Sequence, residues 1–344
     1  MGLLENGTAL VENLVPTGLV TVASKLVEAP RDLAATVATR LVEAIAINSI
    51  SEKVRRGRAV VVKRRNLHSE QLADLTNLYF RMADIPIRFW SKAEEWQRWE
   101  VDCFQMLNGD RYRASASGER TVIAEKLPGE SLWEHLNRGT LTRKMLRAAA
   151  AEFRRAHQFW CDHFRGRWSH GDGTSQNVLY DAPTNRARLI DFEIVHDKAL
   201  ATAARQADDL LVFLLDMVGT VSTRHWVPYA TTFLEGYGDA SVIAQLRRQL
   251  DLPGGLAWIW WGVRTNFTNP ARVTRRLAKL SRVIAQLKLD QAAGSARSRN
   301  KRRPSSSCQV TKPGMPRASS RTLAIKERTK ALSPGIPRRL PIKT

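Results

Sequence analysis

Cysteine is scarce in this chain. The three in 344 residues, Cys103, Cys161 and Cys308, are too scattered for the spacings of a zinc site or a disulfide framework, so a reducing cytoplasm is expected. No stretch reaches the roughly 18 uninterrupted apolar residues that a membrane-spanning helix requires. Lys25, Glu28 and Arg31 break the richest N-terminal region, and the N-terminus lacks the basic start and apolar core of a secretion signal. Acidic residues are also short, 33 against 54 Lys and Arg, giving a formal charge of +21. Residues 291–344 hold 14 Lys and Arg against the single acid Glu327, which leaves +8 for the rest. Ser, Pro and Arg dominate that tail and no apolar period survives in it, so it is expected to be disordered. Its charge would attract nucleic acid, anionic lipid or another acidic partner, peripherally at a membrane or in solution. It says nothing in favour of nucleic-acid binding by the folded body, for which nucleic acid is not the expected partner.

Over its 344 residues the chain is 43% hydrophobic, ample for a sizeable folded body. Residues 1–50 read as a Val/Ala/Leu-rich extension punctuated by Pro16 and Pro30. Leu33, Val37, Leu41 and Ile45 recur at helical spacing over Arg31–Ile45, so this helix is expected to pack on the body, with a membrane-surface helix as the alternative. Arg58–Lys63 and Thr121–Glu125 read as strands. Lys92–Asn108 reads as a helix with Trp96, Trp99, Cys103, Phe104 and Leu107 on one side, and Leu141–Trp160 as another. Val178–Asp181 and Ala187–Phe192 read as two short strands joined by a Pro/Asn turn.

The densest chemistry lies in His170-Gly-Asp172-Gly-Thr-Ser-Gln-Asn177 and in Leu189-Ile-Asp191-Phe192-Glu193. Asp172 and Asn177 sit five apart on one tight loop, and Asp191 follows 19 residues after Asp172 at the end of an apolar strand. The order, spacing and strand context resemble the catalytic and metal-binding loops of the protein-kinase-like phosphotransferases. The resemblance is closest to their small-molecule branch, which includes aminoglycoside, choline and lipopolysaccharide-core sugar kinases. It implies an α+β, bilobal protein-kinase-like fold, with a small β-rich lobe over 51–127 and a mainly helical lobe over 128–290. It further implies ATP and Mg2+ as cofactors, and a hydroxyl of a small molecule, sugar or glycolipid as acceptor. Phosphoryl transfer needs positioning and charge neutralisation above all. Asp172 would orient or accept the acceptor's proton, while Asn177 and Asp191 would hold metal at the phosphates.

The same resemblance assigns Lys63, after four apolar strand residues, to the nucleotide phosphates, and a carboxylate of the 92–108 helix to pair with it. Glu100 fits that pairing best, with Glu94 and Glu95 as alternatives. Glu125 and Leu127 would lie beside the adenine, between the two lobes. Asp208 or Asp209 would brace the Asp172 loop, although a plain helix N-cap predicts a carboxylate there equally well. Trp258, Trp260 and Trp261 read as core or as an acceptor-pocket wall.

Two departures from the family pattern stand out. No GxGxxG loop precedes Lys63, where Gly57 is the only nearby glycine, although Lys53, Arg55 and Arg56 are available to phosphates. Glu193 replaces the glycine that follows Asp-Phe in protein kinases, an ending that resembles choline kinases. A serine/threonine protein kinase, a pseudokinase or binding module, and, on the tail alone, a basic nucleic-acid-binding protein remain the alternatives.

Overall fold

The computed structural model describes residues 48–301, and side chains as far as 286. The chain divides into two units, Met1–Ala296 and Arg297–Thr344. The site and its scaffold belong to the first unit, and of the second only the helical stretch to Lys301 is described. The fold mixes helix and sheet. The helical extension expected over 1–50 lies outside the described residues except for Asn48–Ile50, which open a strand instead.

Strands β1 (Asn48–Arg55) and β2 (Arg58–Arg65) form a hairpin in which Arg55 faces Arg58. Its two-residue turn, Arg56–Gly57, has φ of 51° and 76°. Positive φ at both positions is the type I′ geometry whose twist matches that of the flanking strands. With β4 (Ala114–Ser117) and β5 (Thr121–Glu125) the hairpin makes an antiparallel sheet of order β1-β2-β5-β4. Lys63 stands opposite Val122 in it.

Between β2 and β4 the chain makes helix α1 (Ser69–Met82), strand β3 (Ile87–Phe89) and helix α2 (Ala93–Asn108). The helical period read over Lys92–Asn108 is that of α2, and Trp96, Trp99, Cys103, Phe104 and Leu107 are all buried. Glu94 and Glu95 occupy its first turn, where the helix dipole favours negative charge.

Past β5 come β6 (Glu130–Ser131) and α3 (Leu132–Asn137), which begins in a capping box of Ser131 and Glu134. Helix α4 spans Arg143–Ala156, so the expected 141–160 helix stops short of Phe159 and Trp160. The strands β7 (Trp160–Cys161) and β8 (Gly166–Arg167) then pair with each other, and β9 (Val178–Asp181) pairs with β10 (Arg186–Leu189) as the hairpin read from the sequence. Strand β11 (Ile194–His196) pairs antiparallel with β3, Ile194 opposite Phe89.

Helix α5 (Thr202–Thr220) is the buried axis of the helical part: Leu210 and Val212–Leu215 are fully enclosed. Around it lie α6 (Thr223–Tyr237), α7 (Ala240–Arg248), α8 (Ala257–Arg264) and α9 (Pro270–Lys301). Because α9 continues to Lys301, the first residues of the tail expected to be disordered from 291 are helical; residues 302–344 lie outside the described residues. A helical stretch apolar on every side, as Leu210–Leu215 is, needs a fully enclosed site, and one core from Trp99 to Ile284 supplies it. A smaller cluster joins Ala73 and Phe80 of α1 to Ile87, Phe89 and Ile194, with Trp260 against it. No helix among the described residues is long and apolar enough to cross a membrane.

Candidate active site

Four segments remote in sequence bring one lysine and a set of carboxylates together. From β2, Lys63 Nζ donates to Glu100 Oε1 of α2 at 2.6 Å and also to Asp191 Oδ1. The second oxygen of Glu100 accepts the backbone N–H of Phe192 at 2.9 Å. Glu100 therefore ties the lysine strand to the segment carrying Asp191, and it does so from a site whose side chain is only 6% exposed. Neither Glu94 nor Glu95 takes this place; both are exposed. Burial works against charge on Lys63, but Asp191 and then Glu100 outweigh it and hold the ammonium protonated. Removing one partner of such a buried pair costs about 3–5 kcal/mol, because the other charge is left uncompensated.

Asp191 follows β10 and has φ of 69°, in the left-handed region that non-glycine residues rarely adopt. Phe192 is fully buried behind that kink, and Asp191 itself is half-buried. Two residues on, Glu193 bonds to Asn48 Nδ2 of β1, and burial, reinforced by Asp191, pushes its carboxyl up to about 8.

The loop carrying Asp172 lies along α5. Asp209 is fully buried and accepts the backbone N–H of His170 at 2.7 Å and of Gly171 at 2.8 Å, with His157 Nε2 3.0 Å away. Seven residues later, two turns down the same face, Asp216 accepts the N–H of Ser175 at 2.8 Å and its hydroxyl. Asp208 and Asp209 lie inside α5, which begins at Thr202, so neither is an N-cap. Asp208 faces elsewhere: Arg264 of α8 grips both its oxygens at 3.1 Å, and His196 joins it to Ser169, the residue before His170. Sequence reasoning named Asp208 and Asp209 but missed Asp216, His196 and Arg264. The seven-residue spacing of two acids in an apolar helix is the signal that would have found Asp216.

Gly171 has φ of 90°, and a Cβ there would come within 2.6 Å of the Ile194 carbonyl oxygen, so only glycine lets the loop back onto β11. His170 is enclosed; its Nε2 donates to the Ile190 carbonyl at 3.0 Å while Nδ1 accepts from the Asp172 N–H at 3.3 Å. That arrangement needs a neutral ring, and burial depresses the protonation of His170 accordingly.

Asp172 is half-buried, and Asn177 Nδ2 donates to its carbonyl at 2.8 Å and to its Oδ2 at 3.1 Å. Burial pushes the Asp172 carboxyl up to about 7; Arg264 opposes the rise and Asp191 and Asp216 add to it. With Nδ2 engaged, the amide oxygen of Asn177 and the carboxylate of Asp191 are hard oxygen donors of the type that magnesium takes, one or two per ion beside phosphate and water. Among the described residues no three His, Cys, Asp or Glu side chains gather as a protein-only metal cage.

The remaining expected residues sit at the end of β5. Leu127 is buried in the main core. Glu125 pairs with Arg58 and accepts the Arg113 N–H at 3.1 Å, both on the exposed side. Trp260 packs edge-on against Phe80 at 4.9 Å and Trp261 against the main core.

No family model and no curated protein matches the chain. Among solved structures, the complex of Rv3197 with erythromycin from Mycobacterium tuberculosis is similar over 80% of this chain and 87% of that one. Their sequences are 16% identical and the TM-score is 0.33.

Proposed function

We propose that the chain is an ATP- and magnesium-dependent phosphotransferase of the bilobal protein-kinase-like fold. In this reading it moves the terminal phosphoryl group to a hydroxyl of a small molecule or sugar, including that of a glycolipid, on the cytoplasmic side where ATP is available. The observation that carries the reading is the convergence of Lys63, Glu100 and Asp191, contributed by β2, α2 and the segment after β10, beside the Asp172–Asn177 pair.

Each residue then has one task. Lys63, held charged between two carboxylates, presents its ammonium to the nucleotide phosphates. Asn177 and Asp191 would hold magnesium, which when bound neutralises charge on the phosphate oxygens. Asp172, with its carboxyl near neutrality, takes the proton of the acceptor hydroxyl, since a base works best when its pKa lies near the operating pH. Glu125 and Leu127 flank the adenine. Glu193 in place of glycine favours a small-molecule acceptor over a protein one.

Two variants test the reading. Asp172→Ala should lower turnover by a factor on the order of 10² to 10⁴, as for a lost general base, with Mg-ATP binding retained. Asp191→Ala should weaken Mg-ATP binding itself, measured by calorimetry. Near wild-type ATP turnover in both variants would overturn the assignment. A thermal-shift screen with Mg-ATP and candidate sugars, lipids and aminoglycosides would then name the acceptor.

A further inference from the structure

Helix α8, of sequence Ala-Trp-Ile-Trp-Trp-Gly-Val-Arg, buries its glycine and its arginine while Trp258, Ile259, Trp260 and Trp261 stay half-exposed. A buried guanidinium is tolerated only when it is paired in good geometry. Arg264 meets that condition by gripping both oxygens of Asp208 at 3.1 Å, and it keeps that carboxyl ionised against the cost of burial. The pairing continues inward. Because Asp208 is ionised, His196 Nε2 donates to it at 3.1 Å, which leaves Nδ1 to accept the Ser169 hydroxyl at 3.0 Å. Ser169 and His196 have no exposure. Arg264 is thus tied through two side chains to the residue three before Asp172. Of the charges that act on the Asp172 carboxyl itself, the Arg264 guanidinium is the strongest.

A second tie leaves from the turn that follows α8. Asn266 and Phe267 have φ of 49° and 48°, two successive non-glycine residues in the left-handed region. Such backbone persists only where its surroundings over-determine it. Here the Phe267 N–H donates to the Gly262 carbonyl at 2.7 Å, and its ring packs so closely that a Cβ on Gly262 would come within 2.7 Å of it. Thr268 abuts α5 in the same way: a Cβ on Gly219 would come within 2.2 Å of the threonine hydroxyl. The turn so held directs the Asn266 amide at Asp216, for which it is a hydrogen-bond donor. Asp216 accepts the Ser175 N–H and hydroxyl, and Ser175 is the residue three after Asp172. The two ties start two residues apart, run through different acids of α5, and end symmetrically about Asp172.

We propose that Arg264 and Asn266 are positioning residues for phosphoryl transfer. Acting through Asp208, His196 and Ser169 on one side and through Asp216 and Ser175 on the other, they set where the Asp172 carboxyl stands relative to Asn177 and Asp191. This role rests on the phosphotransferase reading above. Neither residue is bonded to Lys63, Asn177 or Asp191 among the described residues, so its loss displaces the base and leaves the groups assigned to the nucleotide in place. A misplacement of about 1 Å at a reacting group costs on the order of 100-fold in rate.

Ser169→Ala and Asn266→Gly test the two ties on the full chain. The first removes one hydroxyl, and in the second glycine adopts φ of 49° without strain, so both keep the backbone that the ties hold. Hydrogen exchange at the amides of residues 170–177 should quicken about tenfold in either variant as the loop loosens. Hydrolysis of Mg-ATP, with water as the acceptor, should lose about tenfold in kcat in each and more in the double variant, while calorimetric Mg-ATP affinity stays within about twofold. Arg264→Lys keeps the charge but not the two-oxygen grip and should match Ser169→Ala in both readouts. Asn266→Asp also tolerates the left-handed turn but sets a carboxylate against Asp216, and should turn over more slowly than the glycine variant. If Asn266 served the turn alone, glycine would keep full turnover. That result, unchanged exchange in both variants, or a parallel fall in Mg-ATP affinity overturns the proposal. Hydrolysis lost in Asp172→Ala but intact in both tie variants overturns the positioning role alone, whereas hydrolysis intact in Asp172→Ala overturns the function on which that role rests.

Discussion

Asp209→Ala probes the scaffold of the cleft most directly. The carboxylate has no exposure and accepts two backbone N–H groups, from His170 and Gly171, while also meeting His157. Truncation buries two amide donors and an imidazole nitrogen without partners. Hydrogen bonds to a charged group contribute about 1.5–3 kcal/mol each, so losing the two amide bonds alone should cost about 3–6 kcal/mol. For a body of this size that corresponds to a fall in melting temperature of roughly 6–24 °C, at about 2–4 °C per kcal/mol. Asp209→Asn keeps one acceptor oxygen and should fall between the wild type and the alanine variant.

The pH dependence of this loss follows from the same contacts. Burial by itself would raise the Asp209 carboxyl, but the His157 hydrogen bond and the surrounding histidines hold it below the ordinary carboxylate value. A carboxyl depressed in the folded state stabilises fully above its unfolded value of about 3.9, and that contribution disappears as pH falls through the folded value. The gap between wild type and Asp209→Ala, measured by urea denaturation, should therefore be full at pH 7 and shrink below about pH 4. A loss at pH 7 of under about 1 kcal/mol would refute the bracing role, since that is less than one neutral hydrogen bond typically contributes.

Asp172 should behave in the opposite sense. Its carboxyl is raised to about 7, so the folded state holds the proton more tightly than the unfolded chain, and stability falls as pH rises from about 4 toward 7. Asp172→Asn should thus raise the melting temperature at pH 8 and bring no gain at pH 4, while removing the rise in turnover through about pH 7 expected of the wild type. Gly171→Ala forces φ of 90° on a residue with a Cβ and drives that atom toward the Ile194 carbonyl. Strain of about 1–3 kcal/mol, or displacement of Asp172, should follow, and turnover should fall more than denaturant stability suggests. Glu100→Gln leaves Asp191 as the one carboxylate bonded directly to Lys63 among the described residues and should weaken Mg-ATP binding on the order of tenfold, equivalent to about 1.4 kcal/mol. The exposed Glu94→Gln serves as the calorimetric control.

How far the sequence could be read depended on the range of the contacts involved. The α2 stripe, the β9–β10 hairpin and the Lys63 strand are each marked by a local apolar period, and that period sets their boundaries to within a few residues. Lys63, Glu100, Asp172, Asn177 and Asp191 were nameable because each sits in a local pattern of residue types. Helix α1 was legible in principle, since Leu72, Tyr79 and Phe80 face the small cluster, but no motif in it carries chemistry that would draw the eye.

The pairing of β3 with β11 was not legible, because it joins two three-residue segments across more than a hundred positions and neither has a period long enough to show. Yet this pairing bears on the site more than most local elements do. It holds the chain immediately after Glu193 against Phe89, whose backbone N–H and carbonyl are both bonded by the Asn77 side chain of α1. Arg65, two residues past Lys63, donates to the carbonyls of Trp90 and Ser91 at the next step. The lysine strand, the Glu100 helix and the Asp191 segment are thus fastened to one another by strand pairing and by side-chain bonds to the backbone, as well as by the Lys63–carboxylate charges. A lysine–carboxylate cluster held only by its own attraction would open whenever a ligand competed for the lysine. Fastened from behind, the same cluster would, under the proposed function, release Lys63 to a phosphate while Glu100 and Asp191 stay in place.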